Sequence, residues 1–564
     1  DDARAAGRRF LSDPDARVRQ AAAAAAGLHR DREAVGRLLE MLEADVPPVR
    51  REAAAALGRI GDRRAVSPLL EALRTGPDRY LEHAILYALI RLGDREPVER
   101  MLGDPDPEMR RGALIALDQM EAGGGLTPER VAALLDPASP ALRQAAFRVI
   151  VSRPSWAGEL RTLAERWFRD PMGESGRSEM VQGLVAAFAS DPGMQDAVAR
   201  ALREPSAPAE ARAVLLEAML RASPERFPAT WVAEARWSLE HPDESVVRRA
   251  VAILKAAGAA DFDAALLALA RDEKRSPELR VEALGAAAPR LVRLDGALFA
   301  MLVSCLDPER PPLLRLAAAE ALGRAPLDDR QLERLALRAR TASPLELPRW
   351  IAAFERSSSA AVGKKLLEAL AEAPAVESVP ADLFRRAIRR FPAEVAAAAE
   401  GILRRLEGDT DSQKARLEEL KDTLSGGDPA RGREVFFGRR AGCTACHAVA
   451  GQGGRVGPDL TRIGAIRSPR DLLEAVVFPS ASFARGYEPF VVRTRDGAVA
   501  DGLVVRETPD AVYLFTADRT ERRIPRAAID ELRQSRISIM PQGLDRQLSR
   551  DELRDLVAFL ASLK

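Results

Sequence analysis

A unit of about thirty residues recurs along this 564-residue chain, and that recurrence limits what the chain can fold into. DPDARVRQAAAAAAGLHRDREAVGRLLEML (13–42) is echoed by DVPPVRREAAAALGRIGDRRAVSPLLEAL (45–73) and by PDRYLEHAILYALIRLGDREPVERML (77–102). DPDPEMRRGALIALDQM (104–120) and DPASPALRQAAFRVI (136–150) continue the series. It returns at 242–258, 276–288 and 311–323, the last reading PPLLRLAAAEALG. The equivalent positions Arg19, Arg50, Glu82, Arg110 and Arg143 fall 28 to 33 residues apart, and Arg248, Arg280 and Arg315 keep a similar interval. Each unit reads as a helix pair: Asp or Pro to open, apolar and Ala positions at i, i+3, i+4 and i+7, a Gly-Asp break, then a second apolar-periodic helix. One pair cannot cover its own apolar stripe, so neighbours must stack into a right-handed α-solenoid.

This pattern resembles HEAT repeats, well over 13–150 and 242–323 and more loosely over 151–241 and 324–405. Roughly ten to twelve repeats are expected. Composition agrees: 47% of residues are hydrophobic but only 5% aromatic, and 30% are charged. With 85 basic against 84 acidic side chains, there is no whole-molecule field to attract nucleic acid. Of the basic residues 78 are Arg, interleaved with Glu and Asp rather than clustered for phosphate. No stretch approaches the roughly 18 apolar residues of a membrane span. The opening DDARAAGRRF has no apolar signal core, so any export signal is expected upstream.

The character of the chain changes after residue 406. Residues 407–427 read as a linker with a short amphipathic helix before the breaker cluster Ser-Gly-Gly-Asp-Pro. Beyond it glycine becomes frequent. Between 487 and 532 β-branched runs replace the Ala-rich pattern, with a hairpin signal at Asp496-Gly497. LSRDELRDLVAFLASL closes the chain as an amphipathic helix, with Ser549 and Glu552 as a capping box. The expected domains are therefore 1–406, a linker at 407–427, and 428–564 with a β-rich insert at 487–532.

Two of the three cysteines and one of the four histidines crowd into Cys443-Thr-Ala-Cys446-His447. C-x-x-C-H is the attachment signal for c-type haem: two thioethers to the vinyl groups, and the adjacent imidazole to the iron. Structural zinc would need four ligands, and past residue 428 no further Cys or His exists. A thioredoxin-like pair would want a βαβ setting, which is missing. One covalent haem c is expected, with iron ligands His447 and, by elimination, Met540, the only methionine after Met301. A thioether ligand raises the reduction potential and suits electron transfer. Cys305, in AMLVSCLD, reads as a buried packing thiol, and His29, His83 and His241 as isolated residues on helices. No H-E-x-x-H, G-x-S-x-G or phosphate-binding glycine loop is present, so no catalytic residue is assigned.

GDPARGREVFFGRRAGCTACHAVAGQGGRVGPDLTRIG resembles the opening of class I cytochrome c domains. That resemblance implies that the Pro458 carbonyl accepts from His447 Nδ1–H. It also implies that the first and last helices cross, with Gly432 and Phe436 meeting Leu556, Phe559 and Leu560. Across 428–564, GPDLTRIG, RDLLEAVVFPSASFARGYEPFVVRTRDG, GLVVRETPDAVYL, IPRAAIDELRQSRISIMPQGL and LRDLVAFL resemble the haem-binding domain of multidomain proteins of planctomycetes and verrucomicrobia (Pirellula/Verrucomicrobium type). Members often carry HEAT-like repeats ahead of the haem domain. Many also carry a dehydrogenase-like β-propeller, absent here. The resemblance implies a periplasmic or otherwise exported electron-transfer protein. It would relay electrons between a dehydrogenase and another carrier, with a protein partner on the solenoid face. Two other readings stand beside it: an open iron acting on peroxide or a small ligand, and an interaction protein that haem merely stabilises. The β insert either shields a haem edge or docks a redox partner.

Overall fold

Small side chains decide how the repeats pack. The computed structural model describes every residue except 1, 136–137, 174, 223–226, 259, 408–409, 496–498, 517–520 and 536. Helices Ala16–Leu28, Pro47–Ile60 and Arg79–Leu92 lie side by side in succession. A β-carbon at Gly27 would fall 2.8 Å from Ala56 Cα, and one at Gly58 would fall 2.6 Å from Ala88 Cα. Such spacing leaves room for little beyond glycine facing alanine. The companion helices Val35–Ala44 and Val66–Arg74 pack across them, closing one core from Leu11 to Met120.

Helix starts and neighbouring repeats are tied by the residues that mark the repeat in sequence. Asp15, Asp78 and Asp106 each accept a first-turn backbone N–H, satisfying donors the helix cannot. Ion pairs bridge consecutive repeats: Arg19 to Asp45 at 2.6 Å, Arg111 to Glu82 at 2.7 Å, and Arg74 to Asp104 at 2.6 Å.

The chain divides into two compact units, 1–234 and 235–564. In the first, helix packing continues through Arg161–Arg169, Arg177–Ala187, Pro192–Arg203 and Ala209–Ala222, where the sequence repeat is faint. In the second, Glu244–Ala257, Pro277–Ala287 and Pro312–Arg324 again stack in order, followed by Ala360–Ala371 against Ala393–Glu407. The protein is mainly helical with repeat-like packing. The boundary expected between 406 and 428 lies inside the second unit. The expected linker is built into its neighbour's core: Leu417, Leu420 and Leu424 pack against Phe436, Leu473, Leu556 and Phe559.

The last part of the second unit is organised by two crossing helices, Pro429–Phe437 and Arg550–Ser562. A β-carbon at Gly432 would fall 1.9 Å from the Asp555 carbonyl oxygen, so only glycine permits this crossing. Phe436 and Phe559 meet with ring centres 5.7 Å apart. After a minimal hairpin of β1 (Ala448–Val449) and β2 (Gln452–Gly453), a small antiparallel sheet is built from β3 (Pro489–Thr494), β4 (Val499–Glu507), β5 (Ala511–Phe515), β6 (Glu521–Pro525) and β7 (Ile529–Gln534), in the order β6-β5-β4-β3-β7. Val492, Leu514 and Ile524 form its core. The hairpin turn expected at Asp496-Gly497 lies outside the described residues, while the flanking strands pair with Val492 opposite Ala500.

Candidate functional site

The cysteine-histidine motif is one tight turn. Gly442 enters it at φ 65, a left-handed conformation that glycine adopts without strain. The amides of Cys446 and His447 both donate to the Cys443 carbonyl, at 3.2 and 3.0 Å. Cys443, Cys446 and His447 are thereby held in sequence on a single short helical turn. Cys443 lies against the apolar core that includes Phe436 and Phe559. Burial pushes its thiol up to about 12, so at neutral pH it stands as a protonated thiol rather than a thiolate.

The glycine-rich segment after the motif folds back over it. It begins with the hairpin of β1 and β2. Three backbone bonds then fasten it down: Gly454 N–H to the Thr444 carbonyl (2.9 Å), Gly457 N–H to Cys446 (2.8 Å) and Leu460 N–H to Ala448 (2.8 Å). The fold-back sets the imidazole. His447 Nδ1 lies 2.9 Å from the Pro458 carbonyl oxygen. A carbonyl only accepts, so Nδ1 carries the proton and Nε2 keeps its lone pair. Burial lowers the pKa of His447, opposed by the bond to Pro458, and so favours the neutral ring.

Glycine is required around that ring by space. A β-carbon at Gly457 would fall 2.4 Å from His447 Cε1, one at Gly453 2.1 Å from the His447 carbonyl oxygen, and one at Gly454 2.3 Å from the Ala445 carbonyl oxygen. These three glycines belong to the site, and their density after the motif is the one sequence signal that marks them.

The fold brings together Cys443, Cys446, His447 and Pro458. Met540 stands on a separate loop after β7. Its N–H donates to Ser538 Oγ at 3.1 Å, and Ser538 N–H donates to Ser480 Oγ at 3.0 Å. These bonds tie the Met540 loop to Ser480. Cys305 is buried, with its thiol pushed up by desolvation. Among the described residues, no group of three or more His, Cys, Asp or Glu side chains is placed to hold a metal ion, and no helix is long and apolar enough to cross a membrane.

Comparison with known proteins bears on the repeats. Residues 8–90 match the family model described as HEAT repeats. No curated protein matches the chain. Among solved structures, the complex of CpcE and CpcF of phycocyanin lyase from Nostoc sp. PCC7120 is similar at 18% identity, covering 53% of this chain and 91% of that one, with a TM-score of 0.16. Kap121p bound to RanGTP is similar at 14% identity over 75% of this chain and 51% of that one, with a TM-score of 0.44. Human deoxyhypusine hydroxylase in complex with glycerol is similar at 20% identity over 45% and 84%, with a TM-score of 0.19.

Proposed function

We propose that residues 428–564 form a class I cytochrome c-like domain holding one covalent haem c. The chain then acts as an electron-transfer protein carried on a HEAT-repeat, protein-binding scaffold. The observation that carries this reading is the His447–Pro458 bond within its glycine cradle. It fixes the ring, keeps the proton on Nδ1 and leaves Nε2 as the donor atom, as a carbonyl bond does for a metal-ligating histidine. The residues present fit the group: two cysteines one turn apart, an oriented imidazole, and glycine where any side chain would displace that ring.

Cys443 and Cys446 would form the thioethers, and His447 Nε2 and the Met540 sulfur would be the iron ligands. Bound there, haem supplies one-electron chemistry. The chain's own part is to orient the imidazole through Pro458 and to pack the apolar core that includes Phe436 against Cys443. No acid–base group is needed for that task. HEAT repeats offer stacked helical faces for protein partners, so the solenoid would hold a partner protein while a dehydrogenase or another carrier exchanges electrons with the haem domain. Covalent attachment of this kind belongs to an exported, periplasmic setting.

The test is reversible potentiometry and absorption spectroscopy of the full chain matured with a c-type haem apparatus, compared with Met540→Ala. A low-spin spectrum and reversible cycling are expected, with a lowered potential and high-spin character in the variant. An identical spectrum in the variant would overturn Met540 as ligand. Failure to cycle would overturn electron transfer.

A further inference from the structure

The repeats place an arginine at one recurring helical position, and one of these, Arg315, reaches a carbonyl far along the chain. In the first unit Arg50 donates from Nε to the Leu42 carbonyl at 2.8 Å, and Arg19 donates to the carbonyls of Asp13 and Pro14 at 2.8 and 3.0 Å. Arg212 spends its guanidinium on the carbonyls of Leu202, Ala207 and Glu204. In the second unit Arg280 donates to the Ala270 carbonyl at 3.0 Å. Each closes the stretch of chain just ahead of its own helix. In these four the task is local: a forked cation satisfying carbonyls that a helix end or turn leaves open.

Arg315 sits at the same position in PPLLRLAAAEALG and keeps half of that task, donating from Nη1 to the Pro308 carbonyl at 3.1 Å. Its Nη2 instead donates to the carbonyl of Arg439, 124 residues further along and four before Cys443, at 3.1 Å. Its Nε lies 3.2 Å from Glu346 Oε1, off the hydrogen-bond axis, and Ser343 Oγ donates to the same oxygen at 2.5 Å. Arg315 and Glu346 are only 3% and 2% exposed. Burial raises the pKa of Glu346, with the Arg315 charge opposing that shift. A buried guanidinium is costly unless its hydrogens are used, and two of them are used on main-chain carbonyls, one belonging to the motif's lead-in.

The contact is reciprocated. Arg439 Nη1 donates to the Glu309 carbonyl at 2.8 Å. A β-carbon at Gly442 would fall 3.0 Å from Leu345 Cδ1 and 3.5 Å from Pro312 Cβ. Both chain segments lie in the second compact unit.

We propose that Arg315 is a positioning residue for the attachment motif: it is a repeat arginine redirected from its own turn to seat residues 439–442, and with them the Cys443–His447 turn, on the repeats. The inference rests on the haem reading of that motif. Its consequence is that the electron carrier does not swing on a tether. The repeats around Pro312 and Leu345 are one side of the site.

The test uses the full-length matured protein as wild type, Arg315→Met, Arg315→Lys and Gly442→Ala. Amide exchange is read over 439–447 and, as an internal reference, over the neighbouring helix 277–287; haem content and midpoint potential are read on the same samples. In Arg315→Met the Cys446 and His447 amides should exchange roughly tenfold faster or more, the size expected for losing a charge-assisted hydrogen bond. The reference helix should be unchanged, the potential shifted, and Arg315→Lys partly restored. Gly442→Ala leaves Arg315 intact and loosens the seat from the motif side, so it should show the same local acceleration even where Arg315→Met fails to fold. Wild-type exchange over 439–447 in the folded variants overturns the proposal. So does equal acceleration over 277–287, the mark of an arginine that only stabilises its repeat. A wild-type protein without haem overturns the haem reading instead, and the exchange comparison, which needs no haem, still decides the role of Arg315.

Discussion

Glycine does opposite things in the two kinds of structure this chain contains. In the repeats Gly27 and Gly58 face Ala56 and Ala88, and the same close approach recurs from one helix to the next. In the C-terminal part Gly427, Gly432 and Gly464 all face carbonyls of the one helix Arg550–Ser562, and Gly457 faces the His447 ring. Recurrent contacts share their load with neighbours, so damage to one stays local. Contacts that converge on a single helix have no such reserve, and losing one should cost the whole C-terminal part.

Four substitutions probe that contrast by denaturant unfolding, starting with the largest effect. Phe436→Ala empties a site that is 1% exposed beside Phe559, and should remove about 3–5 kcal/mol from the C-terminal transition. Gly432→Ala drives a β-carbon into the Asp555 carbonyl and should cost about 2–3 kcal/mol in the same transition. Gly58→Ala meets Ala88 Cα at 2.6 Å and should cost about 1–2 kcal/mol without touching the C-terminal transition. A larger loss from Gly58→Ala than from Gly432→Ala would break the comparison. Ser139→Ala, which removes a helix cap that accepts from Leu142 N–H, should cost about 1 kcal/mol, confined to its repeat.

Acid sharpens the comparison further. Arg431, aided by the Asp428 N–H, holds the Asp555 carboxyl below its ordinary 3.8. A depressed folded value means that this stabilisation is complete above the unfolded pKa and lost as pH falls through the folded one. The C-terminal transition should therefore weaken below about pH 4, and Asp555→Asn should flatten that acid limb. A limb of unchanged slope in the variant would remove Asp555 from the crossing.

Sequence showed much of this because the physics is local. Helix pairs follow from Ala and Leu spacing and from Asp caps, and the segments where spacing blurs, 151–241 and 324–405, still fold as helices because neighbouring repeats supply a surface to pack on. The cysteine-histidine turn was legible because its residues are adjacent. The strands were legible from their β-branched runs, within two residues at either end of the sheet. What stayed hidden depends on distant partners. Nothing in 407–427 marks Leu417, Leu420 and Leu424 as part of the C-terminal core, since their partners at 556 and 559 lie more than a hundred residues away. Arg315 reads like every other repeat arginine until Arg439 is seen beside it.

The intact mass of the exported, matured chain tests the central claim most directly. One haem per chain, retained after denaturation and no longer held by two thioethers in Cys446→Ser, is the result this account predicts. A colourless chain whose Cys443 and Cys446 thiols both remain open to alkylation would contradict it.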